Sequence, residues 1–176
     1  MDQIPETRGR SRIVVGVAPG QPAAVVTTAA RFAERFDAEV VCAFVDAARY
    51  PVDEDPDGTV IAMGIDPDLA DEEVETFDPV LRAEISGVLD ARGLAWSVRA
   101  LAGGPARELS RLAEELDAAM IVVGTRDRGF RGSFHEFFNG SVAVQLAHGQ
   151  HRPVVVVPLD PVGPHETLPW DAEEER

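Results

Sequence analysis

Short β-branched apolar runs alternate along the chain with segments whose apolar residues recur at helical spacing. Residues 12–18, Arg-Ile-Val-Val-Gly-Val-Ala, read as a buried strand closed by Pro19-Gly20. Val25, Ala29, Phe32 and Phe36 then fall on one face of a helix over 22–36, with Pro22 in a first turn that tolerates it. A second apolar run at 39–45 completes strand, helix, strand with short connections, the mark of a parallel crossover unit. Further on, 94–101 alternates loosely through Trp96, Val98 and Ala100 and predicts a third strand. Gly103-Gly104-Pro105 opens a helix whose buried stripe is Ala106, Leu109, Leu112, Ala113 and Leu116. The run 120–123, Met-Ile-Val-Val, is too short for a helix and β-branched enough for a buried fourth strand. A last helix is expected over 141–148, stopped at Gly149. Pro153 then introduces a fifth strand of four valines, Val154, Val155, Val156 and Val157, ended by Pro158.

The stretch 47–68 breaks this rhythm. It holds Pro51, Pro56, Pro67, Gly58 and Gly64 and no periodicity, so it reads as a long loop, either functional or mobile. A helix is expected over 69–92, ending at Gly93 and kinked or split at Pro79. The polar residues 1–11 read as a flexible arm, and the Pro-rich, acidic 159–176 as a disordered tail. What remains, 11–158, is one doubly wound α/β domain with a five-stranded parallel sheet and no internal repeat. Ligands of such sheets sit outside the carboxyl ends of the strands, where the strand order reverses. If the first and fourth strands are neighbours, Ala18-Pro19 and Gly124-Thr125 line one crevice.

Composition narrows the partners. The net charge is −15, and all 16 basic residues are arginine. Acidity on this scale argues against nucleic acid and against anionic membrane surfaces, both of which need a basic footprint. Eleven acidic residues and no basic one lie between Tyr50 and Leu81. That segment reads as a solvated, self-repelling surface, because nothing in its spacing selects a metal. The single cysteine, Cys42, excludes an internal disulfide and a cysteine-only metal cluster, and its place in an apolar strand predicts an inert thiol. No apolar run approaches membrane-spanning length and no leader pattern opens the chain, which points to a cytoplasmic protein.

The candidate chemistry follows the fourth strand. From Gly124 the chain runs through Arg126, Arg128, Gly129, Arg131 and Gly132 to Asn139-Gly140-Ser141, where the last helix starts. Strand, Gly-rich loop and helix start together present backbone N–H groups to an anion, and the helix dipole adds partial positive charge. Arginine adds forked donors suited to phosphate. The competing interpretation is that the glycines only permit tight turns and the arginines form a solvated surface.

These residues resemble the universal stress protein family over about 11–158. The resemblance is carried by 121–126 (Ile-Val-Val-Gly-Thr-Arg), Gly140-Ser141-Val142, the closing 152–158 (Arg-Pro-Val-Val-Val-Val-Pro), and Gly103-Gly104-Pro105-Ala106 ahead of a helix. It implies an adenine-nucleotide α-hydrolase-like sheet of order 3-2-1-4-5 and a homodimer paired through the last strand. It also implies a site for ATP or another adenine nucleotide between the first and fourth strands. Carried onto this chain, that site comprises Val17, Ala18, Pro19, Gly124, Thr125, Arg126, Gly129, Gly140, Ser141 and Val142.

The binding members of the family place Gly, two residues, Gly, nine residues, then Gly with Ser or Thr. Here Asp127 stands at the middle position, with twelve residues between it and Gly140. Counted through Gly129 instead, the spacings are four and ten. Family members also carry an aspartate near the adenine, where this chain has Ala18.

The remaining candidates have plainer interpretations. His135, His148 and His151 fall within seventeen residues, but Gly149 ends the helix between the last two, so capping or solvated histidines are expected rather than a metal site. Phe134, Phe137 and Phe138 read as packing aromatics, and Ser141 as a helix-start hydroxyl rather than a nucleophile. Three functions stay open on sequence. One is a stress-response homodimer binding an adenine nucleotide or a small phosphorylated ligand. Another is a nucleotide-free interaction protein working through its dimer surface and the acidic 47–78 segment. The third is a slow ATP hydrolase, for which the chain offers no assigned catalytic residue.

Overall fold

The computed structural model describes residues 10–21, 23–66, 72–125 and 142–159. Strand β1 (Ser11–Gly16) leads through helix α1 (Ala24–Phe36) into β2 (Ala38–Asp46). Three short strands follow, β3 (Arg49–Glu54), β4 (Val60–Gly64) and β5 (Glu72–Val74), then α2 (Pro79–Leu89) with a 3-10 turn over Asp90–Arg92. The order is completed by β6 (Trp96–Ala102), α3 (Pro105–Glu115), β7 (Met120–Gly124), α4 (Val142–Gly149) and β8 (Val154–Val157).

The main sheet runs β6-β2-β1-β7-β8, every neighbour parallel. Counting only its own strands, this is the expected 3-2-1-4-5. Ile13 and Val15 of β1 face α1 and α2, where they meet Val25, Ile85 and Leu89. Val14, between them, faces α3 and α4 with Leu109, Leu112 and Leu146. Strands covered on both faces must be apolar at every position, which is why they stand out as uninterrupted runs.

Four expectations change. The stretch read as a loop over 47–68 instead forms most of a three-stranded antiparallel sheet, β3-β4-β5. Its strands are short, Pro51 sits on the edge strand β3, and a bulge between Pro51 and Asp53 breaks the alternation. The helix read over 69–92 begins only at Pro79. Asp78 caps it by accepting from the Leu81 N–H at 2.8 Å, so the proline occupies a first turn rather than a kink. In α1 the buried stripe is Val25, Val26, Ala29, Ala30 and Ala33. The alanines let the helix approach the sheet closely, which moves Phe32 to the margin and leaves Phe36 53% exposed, the two rings stacked at 6.2 Å. Finally, α3 buries Glu108 beside its apolar stripe. The arm and tail lie outside the described residues apart from their inner ends. There Arg10 pairs with Asp37, and the Leu159 N–H donates to Thr125 Oγ1 at 2.9 Å.

The small sheet is tied to the domain by both packing and charge. Val60 and Ala62 of β4 join the α3-side core with Leu101, Ala106 and Leu109. Arg49 donates to the Ala62 carbonyl at 2.7 Å and to Glu73 at 3.1 Å, and its Nε lies 3.2 Å from Glu75 Oε1. The Glu75 side chain is only 5% exposed. Burial pushes its carboxyl above the ordinary carboxylate range, with the Arg49 charge opposing the rise. From α3, Arg111 reaches Glu54 at 2.9 Å while holding the buried Glu108 at 3.0 Å.

Candidate functional site

Strand pairing opens a crevice at the point where the sheet order reverses. β1 and β7 pair only from Ile13↔Met120 to Val15↔Val122. Beyond that point β1 stays with β2, the Val17 N–H donating to the Ala43 carbonyl at 3.0 Å. β7 stays with β8 as far as Gly124↔Val157. The carboxyl ends of β1 and β7 therefore part, and a hollow of about 230 Å³ lies between them. Its walls are Gly16 at the end of β1 with Val17 and Ala18 after it, Ala43 to Val45 at the end of β2, and Val123 and Gly124 of β7. Pro105 and Leu109 of α3, Val142 at the start of α4, and Gln21 complete it.

Side chains crowd two of these glycines. A Cβ on Gly16 would lie 3.0 Å from Leu109 Cδ1 and 3.2 Å from Val123 Cγ1, so the bare backbone lets α3 close against the strand end. A Cβ on Gly124 would lie 2.8 Å from both Gln21 Nε2 and Leu159 Cδ1. The side chains of Gln21 and Leu159 therefore pack against Gly124.

Of the residues expected at the site, Val17, Ala18, Gly124 and Val142 line the hollow together. Pro19 and Thr125 adjoin it in the chain without lining it. Thr125 is committed to the sheet edge, its N–H donating to the Val157 carbonyl at 2.8 Å and its hydroxyl accepting from Leu159. Arg126, Asp127, Gly129, Gly140 and Ser141 lie outside the described residues. Val154 to Val157 form the edge strand β8, with Val156 43% exposed.

Sequence reasoning missed Gln21, the end of β2 and Leu109. Each reaches the hollow through the tertiary path of the chain, and only Gln21, polar and just after Pro19-Gly20, carried any local signal.

The described walls carry no charged side chain. They suit a flat, weakly polar group such as a heterocyclic base, with the Gln21 carboxamide as the side chain able to donate and accept. Whole ligand pockets span roughly 300–1,000 Å³. At about 230 Å³ the hollow is smaller than that.

Cys42 is fully buried in β2, and burial pushes its thiol up to about 12, leaving it inert. His148 Nδ1 lies 2.9 Å from the Val144 carbonyl, so it serves its own helix. Among the described residues no helix is long and apolar enough to cross a membrane, and no three acidic, histidine or cysteine residues gather to hold a metal.

The universal stress protein family model matches residues 9–158. Solved structures of similar fold include a universal stress protein from Archaeoglobus fulgidus, at 18% identity and TM-score 0.54, covering 84% of this chain and 93% of that one. A universal stress protein in complex with cAMP aligns at 20% identity and TM-score 0.55, covering 86% and 98%. The Archaeoglobus fulgidus protein in complex with dAMP aligns at 18% and 0.50, covering 84% and 97%. At such identities the likeness is one of fold. No curated protein matched the chain. With the family model spanning the whole parallel sheet, this chain belongs to the universal stress protein family.

Proposed function

We propose that the protein is a cytoplasmic stress-response regulator that binds an adenine nucleotide, ATP or a related phosphorylated ligand, where β1 and β7 part. The observation that carries this reading is the apolar hollow bounded by Val17, Ala18, Val45, Leu109, Gly124 and Val142. The base enters it. The phosphates lie toward the start of α4 at Val142; the sequence supplies Gly140 and Ser141 immediately before it and Arg126 and Gly129 earlier in the same stretch, donors of the kind an anion takes. Two relatives of this fold were solved with cAMP and dAMP, which supports an adenine ligand. The reading contains no hydrolytic step. Calorimetric titration of the full chain with ATP and with AMP at millimolar ligand tests it. One saturable site is the expected result, and no heat with either ligand removes the reading.

The working unit is a homodimer joined through β8. This strand is an apolar sheet edge with half-exposed valines, a liability unless a second strand covers it. Isologous pairing of two such edges answers that need. Sedimentation at micromolar concentration is expected to show a species twice the 19.0 kDa chain mass, shifted to the monomer by Val156→Arg. A wild-type monomer contradicts it.

A second reading, in which the acidic segment is a protein-interaction surface, is favoured by one observation. The segment is built into a regular sheet anchored through Val60, Ala62 and Arg49.

A further inference from the structure

The small sheet has two unlike faces. Val60 and Ala62 point into the core, so Ile61 and Met63, between and beyond them on β4, point away. Directly paired residues share a face, which places Tyr50 (opposite Met63) and Val74 (opposite Ile61) on that outer side. Ile65 follows by alternation, and Val52 is the extra residue of the β3 bulge. Tyr50, Val52, Ile65 and Val74 are 44–52% exposed. Asp53, opposite Ile61, shares the outer face, and the hairpin tip beyond it carries Asp55 and Asp57, with Arg99 beside Asp57. Glu54, Glu73 and Glu75 instead engage Arg111 and Arg49.

An apolar centre with an acidic rim, in a stretch without a basic residue from Tyr50 to Leu81, selects its occupant by charge. A second copy would bring aspartate against aspartate, and nucleic acid or an anionic membrane would bring phosphate. Strand addition at the edge is hindered by Pro51 and the bulge on β3 and by the three-residue length of β5. We infer that the outer face of β3-β4-β5 docks a basic amphipathic segment of another protein, its apolar side chains on Tyr50, Ile61, Met63 and Val74 and its Lys or Arg residues beside Asp53 and Asp55. This rests on the interaction-surface reading and is independent of the nucleotide crevice.

Fluorescence anisotropy with three labelled peptides of equal length tests it: alternating leucine and lysine, alternating serine and lysine, and alternating leucine and glutamate. The leucine–lysine peptide is expected to bind saturably, about tenfold or more tighter than either control. Its affinity should fall several-fold between low and physiological salt. Val52→Thr/Val74→Thr keeps β-formers in place and is expected to weaken binding about fivefold or more without moving the Tm. Asp53→Asn/Asp55→Asn should weaken it and flatten the salt dependence. No binding of the leucine–lysine peptide, or undiminished binding by the valine double variant, overturns the inference. Equal binding of the serine–lysine peptide overturns the apolar docking face specifically, leaving the acidic surface as a general electrostatic one.

Discussion

Arg49→Met is expected to destabilise the β3-β4-β5 sheet by about 3–5 kcal/mol at neutral pH, the range for stranding one partner of a buried ion pair. Arg49 is the cation beside the 95%-buried Glu75 side chain, and it also donates to Glu73 and to the Ala62 carbonyl. Without it the largely buried carboxylate loses the one cation beside it among the described residues. The pH dependence follows from the direction of the Glu75 shift. Its folded pKa is raised above 4.5, so this group's contribution to stability is whole below 4.5 and is lost as pH rises through the folded value. Removing the arginine removes what holds that value down, so the loss extends to higher pH. The deficit of Arg49→Met should therefore be full at pH 7 and shrink on acidification toward 4.5. Hydrogen exchange at β4, with urea unfolding for the whole domain, measures it. Glu75→Leu in the same background should restore most of the loss by removing the stranded charge. A pH-independent deficit, or no rescue, contradicts the arrangement.

Ala18→Trp is expected to abolish nucleotide binding, a loss of about 100-fold or more, by filling the hollow the base would enter. Ala18 lines that hollow and is partly exposed, and the extended conformation favoured before Pro19 accepts any side chain. The variant should unfold within a few degrees of the wild type, which separates a blocked site from a broken fold. Calorimetric titration with ATP reads the binding. Undiminished affinity in Ala18→Trp would move the ligand elsewhere.

The parallel sheet was legible because burial on both faces forces uninterrupted apolar runs, carried by 12–18, 39–45 and 120–123; 154–157 reads the same way, although β8 is the half-exposed edge. The small sheet was hidden by its opposite situation. Its outward face is apolar at the centre, so the strands lack an apolar/polar alternation, β5 is three residues long, and Pro51 with its bulge shifts the period on β3. Phe36 misled because the helical wheel weights a large aromatic equally with the alanines that set how closely α1 approaches the sheet.

At the crevice, Ala18 and Gly124 could be placed from chain order, since ligands of such sheets sit where the strand order reverses, while Val17 and Val142 came from the family resemblance. Gln21, Val45 and Leu109 could not, because their arrival depends on the angle at which neighbouring elements pack. Gln21 puts a carboxamide beside the hollow three residues after Ala18.

The most direct test follows the backbone amides of the isotopically labelled full chain during titration with AMP. Saturable shifts concentrated at Val17, Ala18, Val45, Gly124 and Val142, absent from β3-β4-β5, are the expected result. Shifts confined to other surfaces, or none at millimolar ligand, would show that the parted ends of β1 and β7 do not form a nucleotide site.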